Sequence, residues 1–359
     1  MSADPAGRSF WIRHHPYERL DAEPGETARI DADDRRIIER VVAAYRRTPG
    51  DDFYGRNSMW KSIRDERQRE LHGLLAHGRM DDIAEALRNP KDNYLLYGFE
   101  TLFKEAYERA SSDHAQQQKR AAGAKDHLVR LAEAISALRV ENPEGGPWLD
   151  NVRWSTADVI ELIERKLGFP LAVPWPYGEL FGLKTHGGVF GQRMIHAAYC
   201  AHRVRQLGAR KVLEIGAGLG HLARYGYLMG IRDYTIVDLP FSSVSQGYFL
   251  MRTLGEDAVV LEGEPYNPGA IRILTPAHLD TQERYDLAVN VDGLTELGRD
   301  TAERYLALIF AVSDRFLSIN HESNQYTVNE LARGRPDLRI ERFPYWMRNG
   351  YVGEIVRRR

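Results

Sequence analysis

Three glycines at alternate positions, Gly216, Gly218 and Gly220, follow the apolar run Val212-Leu213-Glu214-Ile215. A carboxylate, Asp238, ends the next apolar run, Tyr234-Thr235-Ile236-Val237. Glycine lets a backbone take positive φ and approach a ligand without a Cβ in the way. A carboxylate at the end of the following strand can accept hydrogen bonds from two ribose hydroxyls. A strand, a glycine turn and a second strand ending in an acid therefore predict a nucleotide-type cofactor site. The plainer alternative is a glycine turn of any α/β protein, with Asp238 capping a helix.

The spacing narrows the cofactor. A dinucleotide fingerprint puts its third glycine five residues after the first, a position held here by His221. The Glu214-x-Gly216-x-Gly218-x-Gly220 form instead resembles motif I of class I S-adenosylmethionine-dependent methyltransferases. That resemblance implies Glu214 near the methionine end of the cofactor, Asp238 on the ribose and Leu239 beside the adenine. The full implied set is Glu214, Gly216, Ala217, Gly218, Gly220, Asp238, Leu239 and Asn290. The stretch Asn290-Val291-Asp292-Gly293-Leu294-Thr295-Glu296 is similar to the Asn-x-x-Ser-x-x-Glu-Met region of bacterial sugar O-methyltransferases, with Gly293 in place of Ser and Leu297 in place of Met. Trp60, Leu87-Arg88-Asn89-Pro90 and Leu96-Tyr97-Gly98-Phe99 resemble the first half of the same group. The resemblance implies methylation of sugar hydroxyls in surface polysaccharides or glycosylated natural products.

Methyl transfer from a sulfonium to a hydroxyl releases a proton, and a positioned general base commonly contributes about 10²–10⁴-fold. Ligands of open α/β sheets bind beyond the carboxyl ends of the strands, so the base is expected after the fourth or fifth strand or on a covering segment. Asp292 and Glu296 follow the fourth strand and His321 the fifth. Histidine changes charge near neutrality, which makes His321 the expected base. Asp292 either shares that role or orients the imidazole, and Glu296 either supports it or caps a helix. His186 and Tyr177, in the stretch before the glycines, are the expected substrate contacts. His221 is expected in the first helical turn after the glycines, outside the chemistry. Asp292, His321 and Glu322 match no recognised metal-ligand spacing, so no metal is expected.

These residues need positioning elements. Residues 1–168 read as helix after helix. Ile37, Ile38, Val41, Val42 and Tyr45 form one stripe, with Asp31 and Asp33 as cap candidates. Further helices are expected around Trp60 to Leu75, Ile83 to Leu87, Tyr94 to Tyr107, Leu128 to Leu138 and, behind a Ser/Thr cap, residues 156–167. Residues 116–125 are polar and Ala-rich, an exposed helix or a connector. Residues 169–191 are rich in Pro, Gly and aromatics, which predicts an irregular segment covering the site. From 192 to 359, a helix is followed by short apolar runs at 212–215, 235–237, 258–261, 287–291 and 316–319, the mark of buried parallel strands. Asn349-Gly350 between two alternating segments predicts a closing hairpin. The expected architecture is thus α/β: an all-α N-terminal domain serving as a lid or dimerisation element, then a Rossmann-like, seven-stranded methyltransferase sheet ending in an antiparallel hairpin.

At 359 residues, 43% hydrophobic and 28% charged, the composition is that of an ordinary globular protein, with room for two modest domains. A net charge of -2 gives no global attraction to nucleic acid. One cysteine, Cys200, precludes an internal disulfide, and the thiol is expected to be a buried small hydrophobe. Residues 1–13 show no secretory leader and no run reaches the ~20 apolar residues of a membrane span, so a cytoplasmic location is expected. The expected partners are a small-molecule or glycoside acceptor and, through the helical half, a second copy of the chain. Two other functions stay open: methylation of a phenol or other small molecule, and a silent methyltransferase fold acting as an interaction module.

Overall fold

The structure, a computed structural model, describes residues 22–24, 32–48, 59–99, 112–141, 144, 151–177, 181–185 and 188–359. The expected apolar runs form one mixed sheet of eight strands, not seven. In chain order, after three strands of a small sheet described below, these are β4 (Lys211–Ile215), β5 (Asp233–Val237), β6 (Val259–Leu261), β7 (Ile271–Leu274), β8 (Leu287–Val291), β9 (Arg315–His321), β10 (Leu338–Pro344) and β11 (Tyr351–Arg358). Their spatial order is β10-β11-β9-β8-β4-β5-β7-β6. β6, β7, β5, β4, β8 and β9 run parallel, and β11 lies antiparallel between β9 and β10. The strand missing from the sequence reading is β7, which separates β6 from β5. Ile271-Arg272-Ile273-Leu274 alternates rather than forming a continuous apolar run, because Arg272 bonds the Thr235 hydroxyl and Glu283.

The order fixes where a ligand can sit. From β4 the chain goes to β5 on one side and returns at β8 on the other, so the sheet has its switch point at the carboxyl end of β4. Leu213 and Ile215 face one core with Leu306, Ile309 and Phe310, the apolar stripe of the Arg299–Val312 helix. Val212 faces the other core, which is continuous with the helical half.

In that half, α1 (Ala32–Arg47), α2 (Met59–Arg67), α3 (Arg69–His77), α4 (Met80–Arg88) and α5 (Pro90–Asn93) are followed by α6 (His114–Ala134) and α7 (Thr156–Leu167). The single helix expected from Trp60 to Leu75 is broken at Gln68, whose amide bonds the Tyr94 carbonyl. Residues 94–99 are turns rather than helix, and residues 100–107 lie outside the described residues. Residues 116–125 belong to α6, with Ala121, Ala124 and Lys125 buried. Ser155 caps α7 through the Asp158 amide, as expected. Asp31 and the side chain of Asp33 lie outside the described residues.

The first half is not wholly helical, and residues 169–191 are not wholly irregular. β1 (Ala22–Pro24) pairs with β2 (Phe181–Thr185), which pairs in turn with β3 (Gly188–Phe190). These strands of three to five residues carry too little periodicity to be read from sequence. The remaining helices are α8 (Gln192–Gln206), α9 (His221–Leu228), α10 (Pro240–Leu254), α11 (Arg299–Val312) and α12 (Val328–Arg333). No helix among the described residues is long and apolar enough to cross a membrane.

The helical half is fastened to the sheet layer by close packing and by charge. The Arg40 guanidinium makes two 2.8 Å bonds to Glu264 and also bonds the Val259 carbonyl. Tyr248 donates to buried Asp34 at 2.8 Å. Gly247 of α10 lets α1 approach: a Cβ there would lie 2.8 Å from Val41 Cγ1 and 3.0 Å from Leu261 Cδ2. Gly247→Ala is therefore expected to destabilise the protein by about 1–3 kcal/mol through overpacking. Thermal unfolding checks this; an unchanged melting temperature would mean that α1 does not seat against α10.

Candidate active site

The glycine turn takes the conformation its residue types permit. Gly216, Gly218 and Gly220 have φ of 70°, 57° and 93°, the left-handed region in which a side chain is strained. The turn runs from the end of β4 into α9, and His221 begins that helix, buried, as expected. Asp238 lies beneath the turn. Its Oδ2 accepts from the Ala217 amide at 2.9 Å and from Gln246 Nε2 at 2.6 Å, and its Oδ1 accepts from the Leu239 amide at 2.7 Å. Gln246 also donates to the Gly218 carbonyl at 3.0 Å. Burial pushes the Asp238 carboxyl up to about 6, against the hydrogen bonds from Leu239 and Gln246.

Glu214 is buried in β4, and the Tyr234 hydroxyl donates to its Oε2 at 2.9 Å. Burial raises its carboxyl to about 8 despite that bond. Asn290 has its side-chain capacity largely taken up within the protein. Its amide donates to the Ile215 carbonyl at 2.8 Å, and its Oδ1 accepts from Leu294 N and from Asn320. It ties β8 to the start of the glycine turn. Gly293, which stands in place of Ser, sits where a Cβ would be 3.1 Å from that amide.

One cleft runs across these residues. Glu214, Gly216, Ala217, Gly218, Asp238, Leu239 and Asn290 line one end. Asp292, Glu296, Trp60, Arg193 and Arg348 line the other. Gly220 is set back against Leu250. The structure thus brings most of the expected cofactor set together with two of the three expected catalytic residues.

Asp292 and Glu296 stand in a charge cluster. Asp292 follows β8 with φ of 62°, a conformation that Asp enters more readily than most residues. Its Oδ2 accepts from Arg348 at 3.0 Å and from the Tyr351 hydroxyl at 2.7 Å. His321 Nε2 stands 3.5 Å from Asp292 Oδ1, while Nδ1 lies 2.7 Å from the Ser323 hydroxyl. His321 is not among the residues lining the cleft; it backs onto Asp292. Glu296 does line it. Burial and the neighbouring Asp292 push its carboxyl up to about 7, against a hydrogen bond from Trp60 and the charges of Arg193 and Arg348. Asp292, Glu296 and His321 each present a ligand-type atom, all within 4.8 Å of one another. A cation there would share Asp292 with the Arg348 guanidinium, which already neutralises it.

Two expected substrate contacts fare differently. Tyr177 is fully buried, and its hydroxyl donates to the Ser245 carbonyl at 2.9 Å. It packs behind the site rather than facing a substrate, because an aromatic ring gains more from burial than from covering a wet cleft. His186 lies outside the described residues. Of the described residues in 169–191, none lines the cleft. The cover comes instead from Met59, Trp60, Tyr97, Gly98 and Phe99, in the half expected to act as a lid, though none of these side chains was singled out for that role. Trp60 and residues 96–99 were visible only as family-like residues. His196, whose Nε2 shares a 2.7 Å hydrogen bond with the Tyr345 hydroxyl, and Cys200, whose thiol burial pushes up to about 12, lie at the floor.

The chain matches no protein-family model and no curated protein. Among solved structures it is similar to the magnesium protoporphyrin IX methyltransferase of Synechocystis PCC 6803 with bound SAM, at 13% identity over 46% of this chain and 79% of that one, TM-score 0.33. It is also similar to an O-methyltransferase from Bacillus cereus in complex with SAH, at 15% identity over 45% and 79%, TM-score 0.32. The N-terminal domain of EvdMO1 with SAH bound aligns at 15% identity over 50% and 90%, TM-score 0.34. At such scores these likenesses carry no argument, and the functional reading rests on the residues of this chain.

Glu214 gives the ligand-free protein a distinctive pH dependence. A carboxyl raised in the folded state contributes stability that is full below its ordinary range and is lost as pH rises through the folded value, here about 8. Glu214→Gln keeps an acceptor for Tyr234 but cannot ionise. It is expected to lessen the fall in melting temperature between pH 6 and pH 9 by roughly 2–4 °C or more. An unaltered fall would assign that charge to another group.

Proposed function

We propose that the protein is an S-adenosylmethionine-dependent O-methyltransferase acting on a sugar hydroxyl. The observation that carries the reading is the single cleft joining the left-handed glycine turn, Glu214 and Asp238 to the Asp292 and Glu296 carboxylates. The donor set suits the cofactor. The backbone of Gly216 to Gly218 would admit its close approach, Asp238 would hold its ribose, and Glu214 would lie at its cationic methionine end, whose charge would favour the ionised carboxyl. Bound there, S-adenosylmethionine supplies an electrophilic methyl group on sulfur.

The remaining work falls to this chain's side chains. As the acceptor oxygen takes the methyl, its proton must leave, and Glu296 is the group placed to accept it. Glu296 takes the role expected of His321, because it lines the cleft whereas the imidazole stands behind Asp292. Asp292, held by Arg348 and Tyr351, keeps a second negative charge beside Glu296 and so favours the protonated product state. Trp60 and Phe99 close the cleft above and exclude water from the reacting atoms. A phenolic acceptor is the second reading, favoured by the rings of Trp60, Tyr97 and Phe99 along the cover.

Calorimetry with S-adenosylhomocysteine tests the cofactor. Asp238→Ala is expected to weaken binding by about 1.5–3 kcal/mol, and an unchanged dissociation constant would reduce Asp238 to a structural cap. A mass-shift screen of glycosides, nucleotide sugars and phenols separates the two acceptor readings.

Glu296→Gln is expected to lower turnover about 10²-fold or more while leaving S-adenosylhomocysteine affinity within a few-fold. Turnover of the native protein should rise with pH through the Glu296 value of about 7, where the carboxyl becomes ionised. Persistence of that limb in Glu296→Gln would remove Glu296 from the role and return it to His321.

A further inference from the structure

The catalytic carboxylate of the sheet layer is held by a residue of the helical half. Trp60, in α2, donates from Nε1 to Glu296 Oε2 at 3.1 Å, the one hydrogen bond to that carboxylate among the described residues. The indole is itself fixed. It packs on the Phe99 ring at 5.6 Å between centroids, and it passes over Gly98, where a Cβ would lie 3.0 Å from the ring. Gly98 has φ of 82°, so the chain turns there in a form that leaves room for the indole. Phe99 in turn reaches the cofactor end, within 4.0 Å of where a Cβ on Gly218 would stand. An unbroken series of contacts therefore links the proton acceptor to the glycine turn through the cover.

We propose that Trp60 is a positioning residue, which aims the Glu296 carboxylate into the cleft and holds it there as the proton acceptor. The proposal rests on the role assigned above to Glu296. The physical reason is geometric. Glu296 sits in a single turn of 3-10 helix, Leu294–Glu296, with no longer element to fix its side chain. Asp292 from its own loop repels it, whereas Arg193 from α8 and Arg348 from the β10–β11 loop attract it from other directions, and His321 from the end of β9 lies close by. Without a directional donor, the carboxylate would turn toward whichever guanidinium was nearer and away from an acceptor hydroxyl. An indole N–H favours the ionised carboxylate and defines its direction at once.

The test reads the carboxylate itself and needs no acceptor. The full-length protein, labelled with glutamate carrying ¹³C at the side-chain carboxyl, is titrated by NMR, and the Glu296 signal is identified by its loss in Glu296→Gln. Trp60→Phe keeps an aromatic ring beside Phe99 and removes the donor together with part of the indole. It is expected to raise the Glu296 midpoint by about one pH unit. A residue that merely packs would leave the midpoint where it was, and an unmoved midpoint overturns the proposal. Should Trp60→Phe fold poorly, replacement of Trp60 by β-(3-benzothienyl)alanine, an isostere lacking only the N–H, is held to the same criterion. Failure here leaves the methyltransferase reading standing, since that reading is decided by cofactor binding and by turnover of Glu296→Gln.

Discussion

The buried carboxylate of Asp238 is the constraint on which the site depends. Three donors converge on it: the Ala217 amide of the glycine turn, the Leu239 amide that opens α10, and the Gln246 side chain two turns further along that helix. A buried carboxylate at a strand end is costly unless it is hydrogen-bonded, and bonding it here fixes three segments at once. The turn after β4 is pulled down, α10 starts where it must, and Gln246 reaches back to the Gly218 carbonyl. The left-handed glycines supply a backbone able to submit to that arrangement. The shape of the glycine turn and its local stability are thus one problem, solved by one carboxylate.

Around Asp292 and Glu296 the logic is reversed. The two carboxyls stand in each other's field, and two arginines from separate elements offset part of the repulsion, while burial and Asp292 still push the Glu296 carboxyl up to about 7. Arg348 arrives on the loop between β10 and β11, and Arg193 comes from the first turn of α8. The closing hairpin therefore does more than finish the sheet: its loop neutralises Asp292, and its last strand presents Tyr351 to the same oxygen.

How much of this was legible in the sequence follows from the range of the interactions involved. The glycine turn, Asp238, the α11 stripe and the Asn349-Gly350 hairpin are local patterns, and the structure has each of them. β7 escaped because Arg272 interrupts an apolar run, its guanidinium being accommodated only by partners from other segments. Residues 169–177 read as a cover because Pro, Gly and aromatics usually mark one. Their rings are instead consumed by packing, as where Trp175 stacks near His221 and Tyr177 bonds Ser245. Above all, Trp60 and Glu296 lie 236 positions apart, and no periodicity or spacing encodes a bond across that distance. Glu296 itself was visible, but its precedence over His321 depends on which of the two faces the cleft.

Cys200 offers a last consequence. The chain's sole thiol is 1% exposed in α8, between His196 and Tyr345, with its ionisation suppressed by burial. Thiol reagents attack the thiolate, so the closed protein presents them with almost nothing to react with. Each labelling event then records a moment at which α8 has parted from the sheet or the floor of the cleft has opened. The molecule carries its own clock for breathing beneath the site, one that needs no introduced probe and that a ligand bridging the cleft would slow.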